Sequence, residues 1–219
     1  MRPMRSPTFL INPLIPLVAD TSTVINLIAT GCTPTIIAAL PNPIVAVDVI
    51  PNELDTGRPR GRLHADRLQE IVAAGHIAIV ALGDTGWLHF ETLVAGPALE
   101  TLDDGEAATI AYAAEHGAVP ILDEKKGRRI CSARFPNLCS ISTVDVLLHP
   151  KVREALGDDV FADAVFAALR DARMAVFPHH LDEVLRLIGP ERAARCSSLS
   201  KRFRVSDRTE LQTDIEHGA

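Results

Sequence analysis

Aromatic side chains are scarce in this chain of 219 residues, which has one Trp, one Tyr and seven Phe. Proteins that bind single-stranded nucleic acid broadly often stack the bases on aromatic rings, so such a platform has little support here. A core must instead be built from Ala, Val, Leu and Ile. The hydrophobic fraction of 47% is typical of a globular protein and argues against wholesale disorder.

An excess of basic residues is also missing. The chain has 22 Lys and Arg against 28 Asp and Glu, which gives a net charge of −6. A protein that coats DNA is expected to be basic, so the composition argues against broad affinity for nucleic acid. An enzyme that contacts phosphates through a local basic patch and a metal ion remains compatible with this charge.

Zinc motifs are absent, because no two cysteines form a C-x-x-C pair and the sequence contains no H-E-x-x-H. We interpret the cysteines as free thiols in a reducing compartment. They are Cys32, Cys131, Cys139 and Cys196. We interpret the adjacent pair His179-His180 as a loop or the start of a helix rather than as metal ligands.

Long apolar runs are missing as well. No stretch reaches the roughly 18 uninterrupted apolar residues that a membrane span needs. Prolines at positions 7, 13 and 16 interrupt the apolar N-terminus, and no small-residue cleavage site follows it. The sequence therefore predicts a cytoplasmic protein with no membrane partner.

Short apolar runs alternate with helical patterns as far as residue 150. The predicted strands are residues 14–19, 44–47, 77–82, 118–122 and 138–141. This order predicts an α/β domain, a three-layer sandwich in which helices cover both faces of a mostly parallel central sheet. Residues 56–61 are predicted to form a loop, and residues 83–96 fit neither pattern clearly.

The chain after residue 150 changes character. Two helices are predicted near residues 159–170 and 181–188, and the residues after Pro190 are polar and charged. We therefore predict an α/β domain over residues 1–150 and a helical extension packed on it over residues 151–190. Residues 191–219 are predicted to be a polar tail whose composition favours disorder.

Acidic residues lie near the ends of the predicted strands. Asp20 and Asp123 come directly after apolar runs, and Glu53 lies a few residues beyond the second strand. Glu106 lies in the first turn of the helix that precedes the Asp123 strand. Ligands bind outside the carboxyl ends of parallel strands, so we expect the four carboxylates to converge at that edge.

Four carboxylates placed together repel one another and raise each other's pKa, so such a cluster is tolerable mainly when a cation neutralises it. Mg²⁺ and Mn²⁺ prefer oxygen ligands and bind through a few carboxylates plus the phosphate of a substrate. Such an ion can orient water for attack on a phosphodiester. The pattern therefore predicts a metal-dependent nuclease.

Each acid also has a structural alternative. Asp20 and Asp123 each precede a helix and could cap it. Glu106 lies three residues after Asp103, which is the spacing of a capping box, and Glu53 could be a solvated helix residue. Capping and metal binding are compatible, because a cap fixes the position of the carboxylate.

Two segments resemble the PIN-domain family. Residues 18–27 (VADTSTVINL) look like the opening of a PIN domain. Residues 104–113 (DGEAATIAYA) and 121–129 (ILDEKKGRR) are similar to the Gly-Glu-Ala helix and the strand-end Asp of a prokaryotic, VapC-like subgroup. The resemblance covers roughly residues 17–150.

The resemblance implies a ribonuclease that depends on Mg²⁺ or Mn²⁺, often the toxin of a toxin–antitoxin pair and usually a homodimer. RNA would be the substrate, and an antitoxin protein would be a partner. The four catalytic acids would be Asp20, Glu53, Glu106 and Asp123. Of these, Asp20, Glu106 and Asp123 would hold the metal, and Ser22 would supply a supporting hydroxyl.

Two other functions remain to be weighed. A PIN fold could bind nucleic acid or protein without cutting, and the acidic net charge and the loose match at Glu53 leave room for this alternative. A phosphatase of the haloacid-dehalogenase type also places an Asp after its first strand. That chemistry needs a second Asp two residues later, where this chain has Ser22.

Basic residues follow Asp123 directly. We predict that Lys125, Lys126 and Arg128 contact substrate phosphates beside the metal, because phosphate contacts position a strand without reading its sequence. The alternative is a solvated basic face of a helix.

Overall fold

The computed structural model describes residues 12–51 and 59–199, so Glu53 lies outside the described residues. The strands are β1 (Leu17–Ala19), β2 (Ile44–Val47), β3 (Ile77–Val80) and β4 (Val119–Ile121). The helices are α1 (Thr21–Ala29), α2 (Thr33–Ala39), α3 (Pro59–Ala73), α4 (Asp84–Val94), α5 (Asp104–His116), α6 (Lys125–Arg134), α7 (Thr143–Leu147), α8 (Pro150–Leu156), α9 (Asp158–Asp171), α10 (Pro178–Ile188) and α11 (Pro190–Ala194).

The four strands form one parallel sheet in the order β3-β2-β1-β4. Ala19, the last residue of β1, lies opposite Ala46 of β2 and Ile121 of β4. The carboxyl ends of the two central strands therefore lie next to each other and next to the end of β4. The predicted α/β fold with a parallel sheet is confirmed.

Residues of β1 alternate between two cores, as the twofold period of a strand requires. Leu17 and Ala19 pack into the larger core, which includes α1 and α2. Val18 packs on the opposite face of the sheet against Ala108 and Ala113 of α5. The sheet is thus covered on both faces, and the predicted three-layer arrangement is confirmed.

The helices after residue 150 share the larger core. Val152 of α8, Phe161 of α9 and Ile188 of α10 belong to the same buried cluster as β1. The start of the predicted tail is also ordered, because α11 begins at Pro190 and Leu199 is buried. A boundary at residue 150 stays a prediction, and residues 200–219 lie outside the described residues.

Two local predictions were wrong, and one segment left unassigned from the sequence is a helix. The predicted strand at 138–141 is reduced to one parallel bridge between Ile121 and Ile141. The unassigned segment 83–96 contains α4, whose backbone is capped by the distant Glu115 carboxylate through Gly83 N–H. A cap supplied from another helix leaves no local signal in the sequence. Helix α3 begins at Pro59, inside the predicted loop, where proline suits a first helical turn.

Among the described residues no single helix is long and apolar enough to cross a membrane, although α1 and α2 together, bent by 111°, pass a test of length and composition.

A candidate metal centre at the carboxyl edge of the sheet

Asp20 directly follows β1 and is 5% exposed. Its Oδ1 accepts a hydrogen bond of 2.7 Å from Thr23 N–H, so the predicted cap of α1 is confirmed. Ser22 Oγ lies 3.0 and 2.9 Å from the two carboxylate oxygens and donates to them. These bonds hold the carboxylate at the sheet edge, and the predicted supporting residue Ser22 lies directly against it.

Asp123 lies just beyond β4 and is also 5% exposed. Its capping alternative was wrong, because residue 124 occupies the cap of α6 and makes no side-chain cap bond. Asp123 instead accepts from Thr143 N–H at 2.8 Å, from Thr143 Oγ1 at 2.6 Å and from Asn26 Nδ2 at 2.7 Å. The carboxylate is thus held by α1 on one side and α7 on the other.

A chain of hydrogen bonds joins the two aspartates. Thr143 Oγ1 lies 3.3 Å from Thr23 Oγ1, and Thr23 N–H in turn binds Asp20. Both threonines are fully buried, so this link is shielded from water. Asp20 and Asp123 are therefore connected through two buried threonines although they are far apart in sequence.

Glu106 approaches from α5 and is 4% exposed. Asp103 caps this helix by accepting from Glu106 N–H at 2.9 Å, as expected. The Glu106 carboxylate, however, lies against Gly127 in the first turn of α6, where even a methyl group would overlap it. Its Oε1 is buried without a hydrogen-bond partner among the described residues. An unpaired buried oxygen of this kind is suited to a cation.

The carboxylates have unusual affinity for protons. Burial and the neighbouring Asp123 carboxylate raise the pKa of Asp20 to about 7. Burial and three neighbouring carboxylates, Asp20 among them, raise the pKa of Glu106 to about 8. Burial also raises the pKa of Asp123, against the effect of its hydrogen bonds. A bound divalent cation would offset these shifts, because its charge stabilises the ionised form of buried carboxylates and neutralises the repulsion between them.

Asp20 is close enough to Asp123 and Glu106 for the charges to interact, but the three carboxylates are not in mutual contact. Within the described part of the chain, they do not form a group whose ligand atoms all lie within 4.8 Å of one another. Mg²⁺ dehydrates reluctantly and keeps several waters, so it is usually bound through only one or two direct carboxylates. The acidic edge therefore fits a hydrated, oxygen-seeking ion better than a fully dehydrated one.

The predicted phosphate contacts differ in their surroundings. Lys125 is exposed, and Lys126 is half-buried and close enough to lower the pKa of Glu106 against the effect of burial. The Arg128 guanidinium stacks on the Phe177 ring at 4.4 Å. Its positive charge favours the ionised form of Asp123. Lys126 and Arg128 therefore lie beside the acidic edge, and Lys125 precedes them in the first turn of α6.

Asn26 and Thr143 were not recognised as functional from the sequence. Asn26 lies inside the segment that resembles a PIN domain, two residues after Val24, but nothing local indicates that it meets Asp123. Thr143 lies 20 residues after Asp123, and the pair meets because α7 begins beside the end of β4. The only sequence signal that could have suggested them is a polar residue on a predicted helix that begins near an acid at the end of a strand.

A second polar cluster lies where α7 meets α10. Asp145 is the third residue of α7 and completes a capping box with Ser142. His180, in the first turn of α10, places Nε2 at 2.9 Å from Asp145 Oδ1. Burial opposes ionisation of Asp145, but the hydrogen bonds from His180 and Ser142 prevail and lower its pKa to about 2. The predicted helix start at the histidine pair is confirmed. The contact of His180 with Asp145 was not predicted from the sequence.

Comparison with known proteins gives one match. No curated protein and no solved structure matches the chain. A family model described as DUF3368, a PIN domain, matches residues 16–190, which include every described acid of the sheet edge and the helices as far as α10. PIN domains are generally nucleases and usually use divalent metals. The chain belongs to the PIN-domain family.

Proposed function

We propose that this protein is a divalent-metal-dependent ribonuclease whose acidic edge binds Mg²⁺ or Mn²⁺. The observation that carries the proposal is the convergence of three buried carboxylates from three different parts of the chain, with raised pKa values and one unpaired oxygen. Such an arrangement costs stability unless a cation occupies it. We assign metal binding to Asp20, Glu106 and Asp123.

The surrounding residues would prepare the site for this role. Ser22 and Thr23 hold Asp20, while Asn26 and Thr143 hold Asp123, so each carboxylate is oriented before an ion arrives. A bound divalent ion would supply an activated water and stabilise the charge that develops on the phosphodiester. Glu53 is proposed as the fourth acid on the strength of the family resemblance alone.

Lys125, Lys126 and Arg128 are proposed to bind the phosphates of the substrate. They follow Asp123 directly in α6, and the Glu106 carboxylate lies against Gly127 of the same turn. A polyanion bound along this turn would bring its backbone to the acidic edge. Arg129 and Arg134 donate to the backbone carbonyls of Leu99 and Glu100 at 2.8 and 2.9 Å, so we assign them a structural role. The bond from Arg128 to the Ser140 carbonyl is longer, at 3.5 Å.

The finer assignment rests on the resemblance to VapC-like PIN domains. We propose RNA as the substrate, a homodimer as the active form and an antitoxin protein as a partner. Exposed apolar residues on α4 support a partner surface, because Trp87 is 52% and Leu88 is 64% exposed. Growth arrest on expression, reversed by a protein from a neighbouring gene, would support the toxin role.

A cleavage assay tests the proposed activity. Total RNA is incubated with wild-type protein in Mg²⁺ or Mn²⁺, and with the Asp123→Asn variant. We expect cleavage by the wild type that stops in excess chelator and falls by about 10³-fold or more in the variant. Asp159→Asn, an exposed change on α9, is the matched control and should cleave like wild type.

Two results would count against a ribonuclease. Equal cleavage by wild type and Asp123→Asn would show that the acidic edge is not the active site. RNA binding by a folded wild-type protein with no turnover in either metal would favour the non-catalytic binding module.

A further inference from the structure

The strongest feature outside the acidic edge is the cluster of Asp145, His179 and His180. Each side chain offers one ligand atom, and these three atoms lie within 4.8 Å of one another. Among the described residues it is the one such group of three, and it joins α7 to α10 across 34 or more positions of sequence. Two imidazoles and one carboxylate at this spacing are typical ligands of a transition metal.

Asp145 is fixed before any ion binds. Its Oδ2 accepts from Ser142 N–H at 2.8 Å and from Ser142 Oγ at 2.7 Å, which closes the capping box of α7. Oδ1 faces His180. The carboxylate oxygen nearest the histidines is therefore held in place by a helix terminus, which limits the entropy lost on binding.

Only one of the two ring nitrogens of His180 has a hydrogen-bond partner among the described residues. The residue is 4% exposed, and its Nε2 lies 2.9 Å from Asp145 Oδ1. A carboxylate that accepts hydrogen bonds requires Nε2 to carry the proton. In the neutral ring Nδ1 then has a lone pair, and this buried atom has no hydrogen-bond partner among the described residues. A metal ion would displace the Nε2 proton and lie between this nitrogen and Asp145 Oδ1, so that both residues bind it directly.

His179 leaves the cluster open on one side. Its ring contacts the His180 ring, with centroids 4.1 Å apart, and stacks on Phe177 with centroids 6.1 Å apart. The residue is exposed to solvent, so an ion can enter and keep water in its remaining positions. Arg128 is a nearby cation, and its guanidinium stacks on the Phe177 ring at 4.4 Å. The positive charge of Arg128 should lower the affinity of the cluster for a metal ion but should not prevent binding.

We propose that Asp145, His179 and His180 form a second metal site, selective for a borderline transition ion such as Zn²⁺ over Mg²⁺. Imidazole nitrogen suits Zn²⁺, Co²⁺ and Ni²⁺, whereas Mg²⁺ prefers oxygen ligands. The ion would connect α10 to α7, the helix that also supplies Thr143 to Asp123. It would thus fasten the C-terminal helices to the sheet edge whether or not the protein is a nuclease.

Metal binding by the full chain tests the proposal. Zn²⁺, or Co²⁺ as a spectroscopic substitute, is titrated in the presence of saturating Mg²⁺, and both the visible spectrum and the melting temperature are recorded. We expect Co²⁺ to show ligand-field bands with nitrogen ligation. We also expect Zn²⁺ to raise Tm by about 5 °C or more at roughly 100 times its Kd.

Variants distinguish metal binding at this cluster from metal binding by other side chains of the protein. His179→Gln changes an exposed side chain, so it should fold, and it should lose most of the Tm shift and the Co²⁺ spectrum. His180→Gln should do the same. His116→Gln removes an exposed histidine on α5 and should behave like wild type. Cys139→Ser and Asp123→Asn test the exposed thiol and the acidic edge, and both should retain binding.

Three results would overturn the proposal: no binding by wild type, unchanged binding in His179→Gln, or loss of binding in Cys139→Ser or Asp123→Asn while the histidine variants still bind. None of these results depends on RNA cleavage, so failure of this site and failure of the proposed nuclease are distinguishable.

Discussion

The acidic edge and the histidine cluster shift the pKa of an aspartate in opposite directions. Asp20 faces another carboxylate, and its pKa is raised to about 7. Asp145 is partly buried, yet hydrogen bonds from a histidine and a serine lower its pKa to about 2. Burial favours protonation in both, so the partner decides the outcome. The carboxylates of the acidic edge therefore need a cation to ionise fully. In the histidine cluster, hydrogen bonds already stabilise the ionised form of Asp145 without a cation.

The largest effect that separates the two regions should come from Gly127→Ala. The added methyl overlaps the Glu106 carboxylate but lies on α6, away from Asp145. We expect RNA cleavage to fall by about 10²-fold or more, because a ligand displaced by an ångström is poorly placed. Zn²⁺ binding at the histidine cluster should be unchanged.

A double-mutant cycle sharpens this result. If the clash is with the carboxylate, Gly127→Ala should destabilise wild type by about 1–3 kcal/mol but cost much less in a Glu106→Ala background. Urea denaturation of the four proteins measures the coupling. Strictly additive effects would show that the glycine is needed for another reason.

A smaller effect is expected when the support of Asp123 is removed. Thr143→Val keeps the shape of the side chain but removes the hydroxyl that binds both Asp123 and Thr23. We expect kcat to fall by about 10–100-fold, the usual range for residues that orient a metal ligand. Measuring the dependence of kcat on Mn²⁺ concentration would show weaker metal binding as well.

Thr109→Val is the matched control. Thr109 is a fully buried threonine on α5 whose Oγ1 has no partner among the described residues. Replacing an unpaired buried hydroxyl should leave kcat unchanged and leave stability equal or higher. If both variants lose activity equally, the Thr143 hydroxyl is not specific to the site.

The sequence was sufficient for the α/β fold and for the location of Asp20 and Asp123 after strands, because both depend on local patterns. Apolar runs of strand length predicted β1 to β4, and an acid after a strand is visible without a structure. The partners of those acids were not visible. Thr143 reaches Asp123 only because the chain passes from β4 through α6 and returns, and that path depends on packing of the whole sheet.

The histidine cluster shows the same limit. His180 is 35 positions from Asp145, and no spacing rule for metal sites covers two ligands on one helix and a third that distant. The pair His179-His180 was therefore assigned to the start of a helix, which is correct but incomplete. The role of Glu106 also depended on the structure, since Asp103 and Glu106 have the spacing of a capping box.

The stability of the metal-free protein should depend on pH in a way that the acidic edge explains. The pKa values of Asp20 and Glu106 are raised, so the folded state holds their protons more tightly than the unfolded state. This contribution is present at acid pH and is lost as the pH rises towards 7 and 8. We expect Tm in chelator to fall over that range.

Asp20→Asn should flatten this pH dependence and stabilise the metal-free protein by about 2 kcal/mol at pH 8. Saturating Mg²⁺ should stabilise the wild type more than the variant. An Asp145→Asn variant provides the contrast, because it removes a favourable partner of His180 and should destabilise the protein at the same pH. Destabilisation by Asp20→Asn in chelator would contradict the proposed repulsion.

The smallest effect is expected at the basic residues. Lys125→Ala should reduce the slope of log K against log salt concentration for RNA binding by about 1, with little change in kcat. Lys151→Ala, on the exposed start of α8, serves as the control and should not change the slope. An unchanged slope for Lys125→Ala would assign that lysine to the solvated face of α6.

The most direct measurement is anomalous diffraction from crystals soaked in Mn²⁺. The account predicts a peak at the carboxyl edge of the sheet, among the carboxylates of Asp20, Glu106 and Asp123, that disappears in crystals of Asp123→Asn. An ordered acidic edge with no peak, or a peak only at Asp145, His179 and His180, would contradict the proposed metal centre.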